Sequence, residues 1–405
     1  MSQQASFLPY GRQTIEDDDV AAVTAALRSD MLTTGPLVER FEQAFAERVN
    51  ARHAVVCSSG TAAQHLTALA LDLKPATHVV VPAVTFLSTA NAARFVGAEV
   101  VFADVAPESG LMEADHLREA LNRASGTVVQ SVFPVHLGGQ CPDMEAIAAV
   151  AAEHDLTVVE DACHAIGTTC ETQAGKTIAV GACAHSDMAV FSLHPVKTIT
   201  MGEGGVITTN DDALAARLKS LRSHGMTRDA AAFQRAELAF ESHGEANPWY
   251  YEMAEIGFNY RAPDINCALG LSQLAKLDRF IAVRRALAEH YDRTLAPLAP
   301  LVKPVSRTPG CRAAWHLYVV LIDFAAAGLE RADLMAKLRA RGIGSQVHYI
   351  PVPWQPYYRQ RYGDIPLPGA AAYYGRCLSL PLFPGMTTDD VERVVDTLGE
   401  LFSAS

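Results

Sequence analysis

Ala189-Val190-Phe191-Ser192-Leu193-His194-Pro195-Val196-Lys197-Thr198-Ile199-Thr200-Met201-Gly202-Glu203-Gly204-Gly205-Val206-Ile207-Thr208-Thr209-Asn210 sets one lysine between two apolar, β-branched runs. Ala189 to Leu193 and Val206 to Thr209 are strand-forming, and Gly202 to Gly205 breaks the chain between them. The stretch reads as a strand, a hairpin-like connection that carries Lys197, and a second strand. A lysine in a connection is by default a solvated cation. Here Ser192 and His194 set a hydroxyl and an imidazole close by, and the glycines let backbone approach a ligand. A desolvated lysine amine has a lowered pKa and becomes a nucleophile able to form a Schiff base with an aldehyde. Pyridoxal-phosphate chemistry requires such a lysine.

Around this stretch, 405 residues leave room for two domains. Hydrophobic residues at 49% and charged residues at 19% describe a chain that buries a core rather than a disordered one. A net charge of -12 argues against a nucleic-acid partner, although a backbone-lined pocket still admits a phosphate. Met1-Ser2-Gln3-Gln4 lacks the basic-then-apolar pattern of a signal peptide, and no apolar run reaches the roughly 18 residues of a membrane span. The expectation is a cytoplasmic protein without a membrane partner. The eight cysteines are scattered without a CxxC pair, and His316 and His348 are not at ligand spacing, so neither a metal site nor a disulfide framework is expected.

Along the chain, Thr14-Ile15-Glu16-Asp17 resembles a capping box opening a first helix with Val20, Val23 and Leu27 on its apolar face. Val38, Phe41, Phe45 and Val49 mark a second helix. Ala54-Val55-Val56-Cys57 then runs into Ser58-Ser59-Gly60-Thr61-Ala62-Ala63 and a helical segment. A strand, a small-residue turn and a helix N-terminus together offer free N–H groups to an anion, although a plain capped helix reads the same way. Strands at Val79–Val81, Val100–Phe102, Val128–Val132 and Thr157–Val159 alternate with helices and predict a mostly parallel, covered sheet. Ligands bind such sheets at the carboxyl ends of the strands. Those ends carry Thr85-Phe86, the polar turn Phe133 to Gly139 with its His136, and Glu160-Asp161-Ala162-Cys163-His164. Asp161 would serve as a helix cap or, beside a pyridine nitrogen, keep that nitrogen protonated.

The order strand-Ser59-Gly60-Thr61-Ala62, Thr85-Phe86, Glu160-Asp161-Ala162-Cys163-His164, Ser192-Leu193-His194-Pro195-Val196-Lys197 and Gly202-Glu203-Gly204-Gly205 resembles the DegT-type sugar aminotransferases, pyridoxal-phosphate enzymes of fold type I. The resemblance runs nearly end to end. It implies an α/β, aspartate-aminotransferase-like fold, with a large cofactor-binding domain over 1–275, including an N-terminal arm, and a smaller C-terminal α/β domain over 276–405. It implies pyridoxal 5'-phosphate as cofactor and Lys197 as Schiff-base lysine and proton shuttle. Asp161 then partners the pyridine nitrogen, and Phe86 stacks on the ring. Gly60, Thr61 and Ser192 bind the phosphate. His164 stands near the cofactor's phenolic oxygen, where many members have glutamine. Asn259, in Ile256-Gly257-Phe258-Asn259-Tyr260-Arg261, matches the asparagine that reaches the phosphate of the neighbouring subunit, which implies a homodimer with shared active sites.

Leu221 to Glu255 is a long polar connection with Trp249-Tyr250-Tyr251-Glu252-Met253 in it, and such connections are usually functional or disordered. A helix over Leu277 to Leu295 leads through proline-rich Leu295 to Pro304 to strands expected at His316–Leu321 and Ser345–Tyr349. Val347-His348-Tyr349-Ile350-Pro351-Val352, the tryptophan run and His194 to Thr200 look like the pseudaminic acid branch of the family. That likeness implies L-glutamate as donor and, as acceptor, a UDP-linked 4-keto-6-deoxy-N-acetylhexosamine aminated at C4. Tyr10, His316, Tyr318, His348 and Tyr349 are its candidate substrate contacts. Another nucleotide-linked 3-keto or 4-keto deoxysugar, on dTDP or GDP, fits the general motifs equally. A sugar 3-dehydratase is disfavoured by Lys197, and a regulator that only binds a ligand is the remaining alternative.

Overall fold

The computed structural model describes residues 7–403; Met1-Ser2-Gln3-Gln4 lies outside them. The β-branched runs form a seven-stranded sheet of β1 (His53–Cys57), β2 (Thr77–Pro82), β3 (Glu99–Ala103), β4 (Val128–Val132), β5 (Thr157–Asp161), β6 (Met188–Ser192) and β7 (Gly205–Thr209). Its order is β1-β7-β6-β5-β4-β2-β3. β7 alone runs against the rest, pairing antiparallel with both β1 and β6. That reversal is the geometric result of the Lys197 connection, which folds the chain straight back instead of crossing over through a helix.

Alternation along each strand divides the core into two layers. Val55, Val79, Val81, Val159, Val190 and Ile207 face the helices that contain Leu66 and Leu218. Val56, Val80, Val158, Phe191 and Val206 face Phe41, Phe45, Ile147 and Phe280. Burial on both faces is why these strands read as continuous apolar runs.

The first helix is Asp17–Leu27, capped by Glu16 through a capping box with Asp19 rather than by Thr14. Asp19 is drawn into the interior by Lys276 at 2.8 Å and Gln273 at 2.8 Å, which fixes the start of the helix there. Val20 and Leu27, on its apolar face, are exposed. The buried Asp264 receives the Gly35 N–H at 2.8 Å and the Leu37 N–H at 3.1 Å, closing the N-terminus of Pro36–Val49 across the chain.

A second, antiparallel sheet joins β8 (Val302–Pro304), β9 (Tyr318–Ile322) and β10 (Cys377–Leu380). Leu287 and Tyr291 of helix Leu277–Thr294, Leu334 and Leu338 of Arg331–Ala340, and Val391 and Leu398 of Thr388–Ser403 complete its core. Two expectations fail here. Ser345–Tyr349 is no strand, touching β10 through one bridge at Gln346, and the third strand is instead Cys377–Leu380. The proline-rich separator contributes the edge strand β8, a position where a missing N–H is tolerated. From the other terminus, the arm is tied to this region by Leu8 N–H to Gly342 O at 2.8 Å and Leu382 N–H to Tyr10 O at 3.0 Å. The polar connection after Leu221 forms a short ribbon, Met226–Thr227 against Glu252–Met253, with Trp249 and Tyr251 exposed. Among the described residues, no helix is long and apolar enough to cross a membrane.

Candidate active site

The carboxyl ends of β2, β5 and β6 and the start of helix Gly60–Ala70 open onto a cavity of about 500 Å³. A larger groove, about 850 Å³, runs along edge strand β3, but its two arginines are spent on Glu99 and on the Phe102 carbonyl. The smaller cavity is where titratable groups converge.

Lys197 reaches it from the β6–β7 connection. Burial holds its amine below the ordinary lysine value, against the opposite pull of Cys163 and Asp161. Among the described residues the amine has no ion-pair partner, so its lone pair is available once the proton leaves. Asp161, at the end of β5, is 4% exposed. Thr89 Oγ donates to its Oδ2 at 2.5 Å and the Cys163 N–H to its Oδ1 at 3.1 Å. The chain after Asp161 turns without forming a helix, so Asp161 caps none. Thr89 carried no signal in the sequence: it lies one turn along helix Leu87–Phe95 from Thr85, whose hydroxyl it meets at 2.8 Å.

The start of helix Gly60–Ala70 lines the same cavity. Ser59 caps helix Gly60–Ala70, accepting from Ala62 N–H at 3.1 Å. Among the described residues the Gly60 and Thr61 amides have no protein acceptor, and they face the cavity beside Ser192. The packing admits no side chain here. A Cβ on Gly60 would sit 2.9 Å from Ser192 Cβ, and one on Gly205 would sit 2.2 Å from Ser59 O. A buried carboxylate, free helix amides and an amine without an ion-pair partner among the described residues line one cavity and fit pyridoxal 5'-phosphate by the chemistry of the donors.

Phe86 lines the mouth, half exposed, with its ring 6.0 Å from that of Tyr349. His164, His316 and His348 are all buried on the cavity. Burial and the neighbouring cation of Lys197 push His164 and His316 well below the ordinary imidazole value and His348 down to about 3. His348 Nδ1 lies 2.8 Å from Ser379 Oγ on β10. Burial also raises the Tyr349 phenol far above its usual range. Tyr10 closes the wall from the N-terminal arm, its ring 5.5 Å from that of His348. The turn from Phe133 to Gly139 is not a flexible surface loop: it is buried throughout, and His136 pairs with Glu160 at 2.7 Å, behind the cavity.

One expected substrate contact is not brought here. Tyr318 is fully buried under the second sheet, stacked on Tyr291 at 4.5 Å, with its hydroxyl donating to Asp292 at 2.6 Å. In β9 it shares a face with Val320 in the core of the second sheet, while Leu317 and Val319 face the large sheet's core. Asn259, expected to reach a neighbouring subunit, is exposed beside Ser223 and lies outside this chain's cavity. Arg284, invisible in the sequence pattern, is 1% exposed and donates to the carbonyls of Trp315, His316 and Leu382 at 3.3, 3.3 and 2.9 Å. It holds the backbone of His316 in place.

Fold and site together define a pyridoxal-phosphate-dependent aminotransferase of fold type I. The chain belongs to the DegT/DnrJ/EryC1/StrS aminotransferase family, whose pattern matches residues 13–399. It is 38% identical over 98% of its length to the spore coat polysaccharide biosynthesis protein SpsC of Bacillus subtilis (strain 168), covering 97% of that protein. Among solved structures it resembles Helicobacter pylori PseC, an aminotransferase involved in pseudaminic acid biosynthesis, with a TM-score of 0.86, 27% identity and coverage of 99% and 100% of the two chains. It also resembles DesI, solved in the presence of its TDP-sugar product, with a TM-score of 0.83, 29% identity and coverage of 99% and 94%. The enzyme is a sugar aminotransferase.

Proposed function

We propose that the enzyme transfers an amino group from L-glutamate to the C4 keto group of a UDP-linked 4-keto-6-deoxy-N-acetylhexosamine, in the cytoplasm, for nonulosonic (pseudaminic) acid synthesis. The observation that carries the chemistry is the unpaired, desolvated Lys197 amine in one cavity with the buried Asp161. Bound pyridoxal phosphate supplies an electron sink that lets a proton leave the carbon bearing nitrogen. In this reading Asp161, held by Thr89, keeps the ring nitrogen protonated. Gly60, Thr61 and Ser192 hold the phosphate, while Phe86 and His164 flank the ring. Lys197 removes the proton and returns it one carbon position away, as base and then acid, in each of two half-reactions. Tyr10, His316, His348 and Tyr349 bring groups from the arm and from 276–405 over the 1–275 half, where a sugar would lie.

The likeness to PseC and the motif variants around Lys197, Trp249 and His348 support the pseudaminic reading. A second reading has its own support: SpsC, at higher identity, serves a polysaccharide, which favours a different nucleotide-linked keto sugar. As for assembly, exposed Asn259 and the exposed apolar Val20, Leu27, Met31 and Leu32 support a homodimer in which each subunit completes its neighbour's site.

The test begins with the donor. Purified protein is loaded with pyridoxal phosphate, given glutamate, and followed by cofactor absorbance and 2-oxoglutarate formation, with Lys197→Ala alongside. Bleaching with stoichiometric 2-oxoglutarate in wild type only is expected. The aminated enzyme is then offered UDP-, dTDP- and GDP-linked keto sugars. Turnover of dTDP or GDP sugars but not the UDP-linked 4-keto N-acetylhexosamine would overturn the pseudaminic reading while leaving the transaminase intact.

A further inference from the structure

Tyr349 Oη and His164 Nε2 lie 3.2 Å apart, and by distance alone either could donate. The far side of the ring decides. There the Gly138 N–H donates to His164 Nδ1 at 3.2 Å. A ring nitrogen that accepts a hydrogen bond carries no proton, so neutral His164 holds its single proton on Nε2. The ring stays neutral because it is buried against His316, 4.5 Å away between centroids, and near Lys197.

The backbone donor is itself immobilised. Gly138 and Gly139 have φ of +70° and +100°, in the left-handed region. The Gly138 carbonyl accepts from Leu317 N–H at 3.1 Å, and a Cβ on Gly139 would meet His164 O at 2.9 Å. With Nδ1 fixed as acceptor, Nε2–H must donate to the Tyr349 oxygen. The phenol then keeps its own proton, and no described residue accepts it. That proton is left for a ligand, since half-buried Tyr349 lines the cavity that holds Lys197.

We propose that His164 is a positioning residue: fixed as the Nε2–H tautomer by Gly138, it donates to the Tyr349 hydroxyl and turns that hydroxyl's proton toward the ligand. Tyr349 thereby becomes a hydrogen-bond donor to an oxygen of the sugar at its reacting end. This is a different task from bonding the cofactor's phenolic oxygen, since the one Nε2 proton serves one acceptor.

Two experiments test it. In cofactor-free protein with labelled histidine, long-range proton–nitrogen spectra should show His164 protonated on Nε2 from about pH 6 to about pH 8, with His164→Gln identifying the signal by its loss. Protonation on Nδ1 overturns the proposal. In single-turnover amination of the keto sugar that the panel identifies, Tyr349→Phe and His164→Leu should each slow the step about 10- to 100-fold. The double variant should be no slower than Tyr349→Phe alone, because the two groups act in series. Gln, whose amide can accept from Gly138 and donate to Tyr349, should recover most of the loss. Losses that multiply in the double variant overturn the proposal. The kinetic arm rests on a sugar acceptor and the tautomer arm does not, so the two readings fail separately; should a variant not fold, the spectrum of the wild type still decides.

Discussion

Acid should unfold this protein partly through His348. Its imidazole is 7% exposed and stays neutral in the fold down to about pH 3, whereas in the unfolded chain it takes a proton near the ordinary value of about 6.5. Between those limits the unfolded state binds more protons, so stability rises with pH and is lost as pH falls through that window. Ser379, Tyr10, Tyr349 and Lys197 face the ring, and none is an anion that would welcome the charge. From pH 7 to pH 4 the linkage comes to about 3 kcal/mol. The assay is urea unfolding of cofactor-free, reduced protein at steps across that range, wild type beside His348→Gln. Gln keeps a polar contact for Ser379 but does not titrate. Wild type should lose about 3 kcal/mol more than the variant on acidification. His164 and His316 titrate in both proteins and largely cancel in the difference. Parallel curves, offset by a constant, would refute the claim that this imidazole is buried neutral.

Thr89→Val removes the 2.5 Å hydrogen bond to a buried carboxylate, worth about 2 kcal/mol, and should weaken pyridoxal phosphate binding about 30-fold in a fluorescence titration. Gly205→Ala drives a Cβ to 2.2 Å from Ser59 O and should destabilise the Ser59–Gly60 turn by about 1 to 3 kcal/mol, seen as a lower Tm and weaker affinity for the cofactor. Arg284→Met keeps the volume but strips donors from three buried carbonyls. It should lower stability by about 3 kcal/mol and shift the His316 ring signals in the histidine spectrum; an unchanged His316 signal would mean that the arginine does not hold that segment.

The large sheet was legible because its strands are buried on both faces, which forces β-branched residues into nearly every position of Val79–Val81 and Val206–Thr209. The second sheet was not. Its third strand, Cys377–Leu380, is four residues long and follows helix Pro368–Arg376 without a break, so periodicity had nothing to grip. Ser345–Tyr349 has a strand's composition but meets the open edge of β10 only at Gln346. Val20 and Leu27 misled for another reason: apolar spacing marks a face that wants covering and does not say that the same chain covers it.

At the site, the sequence carries those groups whose chemistry is unusual where they stand. A lysine between two buried strands, an aspartate ending a third and a Ser-Gly-Thr turn after a fourth each depart from what local structure needs, and the cavity gathers them. It hides the groups whose chemistry is ordinary. Thr89 looks like any helical threonine, Arg284 like any charge on an amphipathic helix, and Gly138 like any turn glycine, yet each fixes one of the gathered groups through a single hydrogen bond or a few. Tyr318 shows the same limit in reverse. It lies two residues beyond His316, a spacing that would share a face within one strand, but His316 sits in the loop before β9 and Tyr318 packs against Tyr291 and Asp292. Sequence distance from a site residue therefore says little across a loop-to-strand boundary, because the two-residue period that would align His316 with Tyr318 holds only inside the strand.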